Sequence, residues 1–176
     1  MVEREIYRRR KIALLDRDGT IIQKVHHLSD PNDVKIIAYT LLHYLQDHGY
    51  ALVVITNQSI IGRGIVHICR VEEVNRTVME KYRKQGIYID AVFMCPHKPE
   101  DDCGCRKPRP GLLHAVNVSM TLDPYKSVLI GDAEEDITAG RAYGIHTNIL
   151  IPTNRPWCAM EQLEAHETLI TDKAIS

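Results

Sequence analysis

The sequence predicts an α/β domain: a doubly wound, mostly parallel sheet with helices on both faces. Short aliphatic runs recur along the chain, each run is continuous rather than alternating, and helical patterns separate them. Continuous apolar runs suit strands covered on both faces, as in parallel sheets. Strand and helix in alternation build such a sheet. The 176 residues make about one ordinary domain, and no linker, repeat or low-complexity tract divides them, so residues 1–176 are expected to form a single unit.

The elements follow in order. A basic stretch, Arg8, Arg9, Arg10 and Lys11, reads as a solvated approach to the first run, IALL at 12–15. Residues 33–47 carry a helical pattern that stops at His48 and Gly49. ALVVI at 51–55 is the second strand. Residues 70–85 place Val71, Val74, Val78 and Tyr82 on one stripe closed by Gly86, a second helix-sized signal, with one-sided burial. AVFM at 91–94 precedes a cysteine cluster, and Pro110 opens a helix running to about Met120. SVLI at 127–130 and NILI at 148–151 complete the strands.

Composition narrows the function. With 44% hydrophobic residues, 26% charged and a net charge of −1, the chain has the balance of a soluble globular protein and no nucleic-acid footprint. It has no apolar run long enough to span a membrane, and the opening MVEREIYRRRK lacks the apolar core of a secretory signal, so a cytoplasmic protein without a membrane partner is expected. A monomer or small homo-oligomer is expected. Of five cysteines, Cys95, Cys103 and Cys105 fall within eleven residues, which suits metal ligation better than a disulfide framework. Cys69 and Cys158 read as ordinary thiols.

Ligands of open parallel sheets bind beyond the carboxyl ends of the strands. That rule selects Asp16 and Asp18 after the first run, Thr56, Asn57, Gln58 and Ser59 after the second, and Gly131 and Asp132 after a later one. Singly, such aspartates cap turns or helix N-termini. Converging, they repel one another unless a cation sits among them, and Mg²⁺ is the expected one. A hydroxyl (Thr56), amides (Asn57, Gln58) and a lysine (Lys107) would grip phosphate oxygens, the outline of a phosphoryl-transfer site.

DRDGT at 16–20, TNQS at 56–59, RKP at 106–108 and GDAEED at 131–136 resemble, in order and spacing, the four motifs of the haloacid-dehalogenase-like (HAD) phosphatases. CPHKPEDDCGCRKPRPG resembles the zinc-binding loop of one branch, the D,D-heptose 1,7-bisphosphate phosphatases and their histidinol-phosphatase relatives. The resemblance runs from about Ile12 to Leu150. It implies that Asp16 is the nucleophile and forms an aspartyl-phosphate, and that Asp18 is the general acid and base. Thr56 and Lys107 would hold the phosphoryl group. Asp132 would complete the Mg²⁺ site with the Asp16 carboxylate and the Asp18 backbone carbonyl, with Asp136 orienting that shell. Cys95, His97, Cys103 and Cys105 would close a tetrahedral structural Zn²⁺ site that fixes Arg106 and Lys107. Asn57, Gln58, Ser59, Arg63 and Arg106 are the candidate substrate contacts.

The chain departs from that branch at Ile22, at His27 with Leu28, at Ile60 and at Ala133. Ala133 stands where a lysine is usual, so weaker electrostatic grip is expected, and the changed loop after the first motif implies a retuned substrate pocket. No large cap is expected, which leaves specificity to the short loops 21–31, 59–66 and 95–110. The function implied is Mg²⁺-dependent hydrolysis of a small phosphorylated sugar, most of all a heptose bisphosphate. Histidinol phosphate is the alternative substrate, and a non-catalytic zinc-stabilised sugar-phosphate-binding protein is the alternative of another class.

Overall fold

In the computed structural model, which describes residues 10–175 and side chains to residue 167, five strands form one sheet. They are β1 (Ile12–Leu15), β2 (Ala51–Asn57), β3 (Ile89–Cys95), β4 (Val128–Gly131) and β5 (Thr147–Leu150). Every pairing is parallel, and the order is β3-β2-β1-β4-β5. The expected fold class is therefore the observed one. Arg8 and Arg9 of the basic stretch lie outside the described residues.

Six helices flank the sheet: α1 (Tyr39–Asp47), α2 (Ser59–Gly62), α3 (Ile68–Arg83), α4 (Gly111–Met120), α5 (Glu134–Tyr143) and α6 (Met160–Ile175). Alternate strand residues feed two cores. Ala13, Leu15, Leu52, Val54 and Ile130 pack with Leu41 and Leu45 of α1, Val74 and Val78 of α3, and Leu163 of α6. Ile12, Leu14, Val53, Ile55 and Leu129 pack on the other face with Leu112, Leu113 and Val116 of α4 and Ile137 of α5. Each fully buried Val, Leu or Ile among them contributes about 1.5–3 kcal/mol, which is why the central strand runs are continuously apolar. No large cap covers the carboxyl edge of the sheet among the described residues, and no described helix is long and apolar enough to cross a membrane.

The helix expected over 33–47 is shorter than its pattern. Pro31–Asp33 form one 3₁₀ turn, capped by Asp30, whose side chain accepts from the Asn32 N–H. Residues 34–38 then run extended beside the loop that leaves β1: Gln23 N–H donates to Lys35 O at 2.8 Å, and Ile37 N–H to Ile21 O at 3.1 Å. Buried Tyr82 locks this pairing, its hydroxyl donating to Ile21 O while accepting from the Ala38 N–H at 3.1 Å. Tertiary pairing thus satisfies the backbone that a helix would otherwise satisfy. The α1 helix begins only where that pairing ends.

Candidate active site

The strand order reverses at β1, whose neighbours β2 and β4 lead the chain away in opposite directions, and the crevice beyond its carboxyl end is where such sheets bind ligands. Asp16 enters that crevice directly off β1, its N–H donating to Ile130 O at 2.9 Å and so extending the β1–β4 pairing by one residue. Asp132 enters from the end of β4. Carboxylate oxygens of Asp16, Asp132 and Asp136 lie within 4.8 Å of one another. Between Asp16 and Asp132 the chain turns at Gly19, whose φ of +92° favours glycine and where a Cβ would collide with Asp132 Oδ2.

Lys107 anchors this cluster. Its buried ammonium lies 2.6 Å from Asp16 Oδ1 and 2.6 Å from Asp136 Oδ1, and donates to Ile55 O at 2.8 Å. Asn57 holds the Lys107 backbone from both sides, accepting its N–H and donating to its carbonyl, each at 3.1 Å. The Lys107–Pro108 peptide is cis. Asp136 also accepts the Ala133 N–H at 3.1 Å, so its oxygens are occupied by Lys107 and by the start of α5. Burial drives the Asp16 carboxyl up from 3.8 to about 7; Lys107 opposes that rise, while the Asp136 and Asp18 charges add to it.

Asp18 is held apart from that cluster. Buried Arg17 donates to its Oδ2 through Nε at 3.1 Å and Nη2 at 2.9 Å, and is itself fixed by Asn75 Oδ1 at 2.7 Å. Gln58 Nε2 donates at 2.8 Å both to Asp18 Oδ2 and to the buried Thr56 Oγ1. Two residues expected to grip phosphate thus have their amides engaged otherwise: Asn57 on the Lys107 backbone, Gln58 on the acid. Ser59, at the start of α2, lines a side cavity. Arg63 caps the end of α2, is exposed and lines none of the described cavities.

Two cavities meet at this edge. One, of about 260 Å³, is lined by Asp16, Thr56, Arg106, Lys107, Asp132 and Ala133 among others. A second, of about 420 Å³, lies between residues 24–28 and 57–60. Asp18, Lys24 and Asn57 line both.

Lys24 carries no motif, and sequence reading passed over it. Its Nζ lies 3.1 Å from Asp132 Oδ2, the oxygen that also accepts the Thr153 hydroxyl at 2.7 Å. Asn154 places it: the Lys24 N–H donates to Asn154 Oδ1 at 2.8 Å, and the Asn154 N–H to Gly19 O at 2.7 Å. The cation absent at Ala133 therefore reaches Asp132 from a different loop. No local spacing signals this, because the loop after β1 and the loop after β5 meet only in the folded chain. Ile22 is equally changed in meaning: it is fully buried and bridged to Ile36, so its departure from the family pattern is a packing change and not a pocket contact.

The cysteine loop gathers as expected. Cys95, His97, Cys103 and Cys105 place Sγ and Nδ1 atoms 3.2–3.6 Å apart. A tetrahedron of Zn–S bonds of about 2.3 Å has edges of roughly 3.8 Å, so this set is arranged as ligands and not as a disulfide. Burial pushes the Cys95 thiol up to about 12, an arrangement that a cation among thiolates reverses. The cluster fits a structural zinc. Immediately after it, the Arg106 guanidinium donates to His97 O at 3.3 Å and faces the 260 Å³ cavity. Asp16 and Asp132, hard oxygen donors converging at a polar crevice, fit Mg²⁺.

The comparisons agree with this geometry. The sequence pattern of the family described as polynucleotide kinase 3 phosphatase matches residues 11–166. The chain is 34% identical over 169 residues to D-glycero-beta-D-manno-heptose-1,7-bisphosphate 7-phosphatase of Vibrio cholerae, covering 91% of this chain and 90% of the relative. It is 33% identical over 155 residues to D-glycero-alpha-D-manno-heptose-1,7-bisphosphate 7-phosphatase of Photorhabdus laumondii, covering 83% and 85%. The crystal structure of D,D-heptose 1,7-bisphosphate phosphatase from B. bronchiseptica, complexed with magnesium and phosphate, superposes with a TM-score of 0.74 at 26% identity, covering 86% of each chain. A sheet of this order, with this carboxylate cluster and this cysteine loop, places the chain in the D,D-heptose 1,7-bisphosphate phosphatase family of HAD-like phosphatases.

Proposed function

We propose that the chain removes the 7-phosphate of a D-glycero-D-manno-heptose 1,7-bisphosphate through an aspartyl-phosphate on Asp16. The observation that carries this reading is the separation of the two carboxylates: Asp16 is paired with buried Lys107 in the metal-fitting cluster, whereas Asp18, two residues on, is held by Arg17 and Gln58 at the wall between the cavities. One carboxylate faces phosphorus and the other faces the leaving group. Support for the heptose comes from the relatives of both anomers, which leave the anomer open.

Bound Mg²⁺, held by Asp16, Asp132 and the Asp18 carbonyl, would neutralise the phosphoryl charge and so permit two anions to meet. An Asp16 oxygen attacks phosphorus while Asp18 gives its proton to the departing sugar oxygen, and the ester bond breaks. Asp18, now a carboxylate, takes a proton from a water whose oxygen attacks the aspartyl-phosphate. The Asp16–phosphorus bond breaks, phosphate leaves, and both carboxyl groups return to their starting state. Lys107 and Thr56 hold the phosphoryl oxygens, with Asn57 and Asp136 fixing Lys107.

Phosphate release should be measured across both heptose bisphosphate anomers, histidinol phosphate and common hexose phosphates, with and without Mg²⁺. A heptose bisphosphate is expected to lead, and Asp16→Asn to abolish release from every substrate. Equal rates throughout would sink the sugar-phosphate assignment, and binding without release by the wild type would make the chain a sugar-phosphate-binding protein instead.

A further inference from the structure

The leaving group has one direction in which to go. In an in-line displacement the leaving oxygen lies opposite the attacking one. Asp16 lines only the 260 Å³ cavity, whereas Asp18, which must reach the leaving oxygen, stands on the wall shared with the 420 Å³ cavity. The body of the substrate therefore extends past Asp18 into the larger space, whose volume is within the range of small-molecule sites.

That space has a particular chemistry. Its first wall carries Lys24, His26 and His27, and its second Gln58, Ser59 and Ile60; Asp18 is the one carboxylate on its lining, and Arg17 already neutralises it. The His26 and His27 rings stack with centroids 3.7 Å apart, and His27 has a φ of +51°, a conformation uncommon for a side-chain-bearing residue. Both residues line the cavity. Lys24 is tethered at its backbone by Asn154, but its side chain is about half exposed, so its ammonium can reach either Asp132 or the larger cavity.

We propose that the 420 Å³ cavity is the leaving-group pocket, and that Lys24 makes it selective for leaving groups bearing a second anionic group over those bearing a cation. This rests on the phosphatase reading. It assigns specificity to a residue in the loop that follows the first motif, in addition to any contribution from Arg106 beside the zinc loop. A cationic leaving group such as histidinol would meet Lys24 with nothing on the lining to pair with it, because Asp18 is neutral while it serves as the acid and is paired with Arg17 once ionised. A second phosphate would gain a charge-assisted hydrogen bond, worth about tenfold in affinity or more.

The test compares kcat/KM for three probes: fructose 1,6-bisphosphate, glycerol 3-phosphate and histidinol phosphate, with a second anion, a neutral polyol and a cation respectively. Wild type is expected to favour them in that order. In Lys24→Gln the ratio of bisphosphate to glycerol phosphate should fall about tenfold while histidinol phosphate gains relative to both, and Lys24→Arg should keep the wild-type ratio. Equal loss on all three probes in Lys24→Gln would overturn the proposal, since Lys24 would then serve Asp132 alone. If the wild type releases no phosphate from any probe, nor from a heptose bisphosphate, the phosphatase reading fails separately. Calorimetric binding of fructose 1,6-bisphosphate against inorganic phosphate to the Asp16→Asn protein then decides the pocket: a preference removed by Lys24→Gln in that background sustains it, and equal affinities overturn it.

Discussion

As a proposed Mg²⁺ ligand, Asp16 is expected to couple magnesium binding to pH. Its carboxyl titrates at about 7 because burial penalises the charged form more than Lys107 supports it, with Asp136 and Asp18 adding repulsion. Magnesium needs the carboxylate, so binding must expel whatever proton is there. At pH 8 about nine-tenths of the carboxyl is already ionised, and at pH 6 about one-tenth. Apparent Mg²⁺ affinity is therefore expected to fall about tenfold from pH 8 to pH 6, and about tenfold again to pH 5. An ordinary surface carboxylate would change it hardly at all in that window. Calorimetric Mg²⁺ titrations in buffers of different ionisation heat count the protons directly: close to one released per ion at pH 6, close to none at pH 8. A flat affinity with no proton release at pH 6 would refute the account of Asp16.

The same group has a stability consequence of opposite sign to that of an aspartate whose ion pair outweighs its burial. Between 3.8 and about 7 the folded, metal-free chain holds more protons at this site than the unfolded chain, so the site's contribution to stability falls as pH rises through that window. Above pH 7 the full penalty of a buried carboxylate is present. Asp16→Asn replaces that charge with a neutral isostere, so the metal-free variant should melt above the wild type at pH 8 and close to it at pH 5. Thermal melts at the two pH values check this, and a lower melting temperature for the variant at pH 8 would contradict it.

Three further outcomes are expected. Cys105→Ser should lose the bound zinc, read by metal analysis, and raise KM for phosphorylated substrates as Arg106 and Lys107 lose their anchored loop. Tyr82→Phe removes the hydroxyl that satisfies the Ala38 N–H, while Ile21 O keeps the Ile37 N–H; with one buried N–H left unpaired, a loss of about 1 kcal/mol or more should appear as a fall in melting temperature of about 2–4 °C or more. Ala133→Lys adds an ammonium where Lys24 already reaches Asp132, so phosphate release should change by less than about twofold; a tenfold gain would show that Lys24 does not meet the need for a cation there.

The strands were legible because each carries a continuous apolar run, and both faces of the sheet are buried against helices. The aspartates proposed as nucleophile, acid and metal ligand were legible for a related reason: a polar residue immediately after such a run has nowhere to go but the open carboxyl edge. What local sequence could not show is how those groups are held. The residues that position them, Asn57 on Lys107, Gln58 and Arg17 on Asp18, Asn154 on Lys24, act through contacts between segments 40 to 130 positions apart or through an adjacent side chain whose direction only the fold sets. Amides that read as phosphate ligands also brace Lys107 and Asp18, and the helix expected from Asp33 yielded to backbone pairing with the loop after β1. The same limit explains Ile22 and Lys24. Ile22 breaks the family pattern visibly yet is core, whereas Lys24, two residues later and unremarked, stands on the wall of both cavities. A departure from a motif marks where a chain has changed, but burial decides whether substrate can feel it. By that criterion any difference in specificity from the relatives is expected at residues 24–28, because they, and not Ile22, line the space proposed for the leaving group.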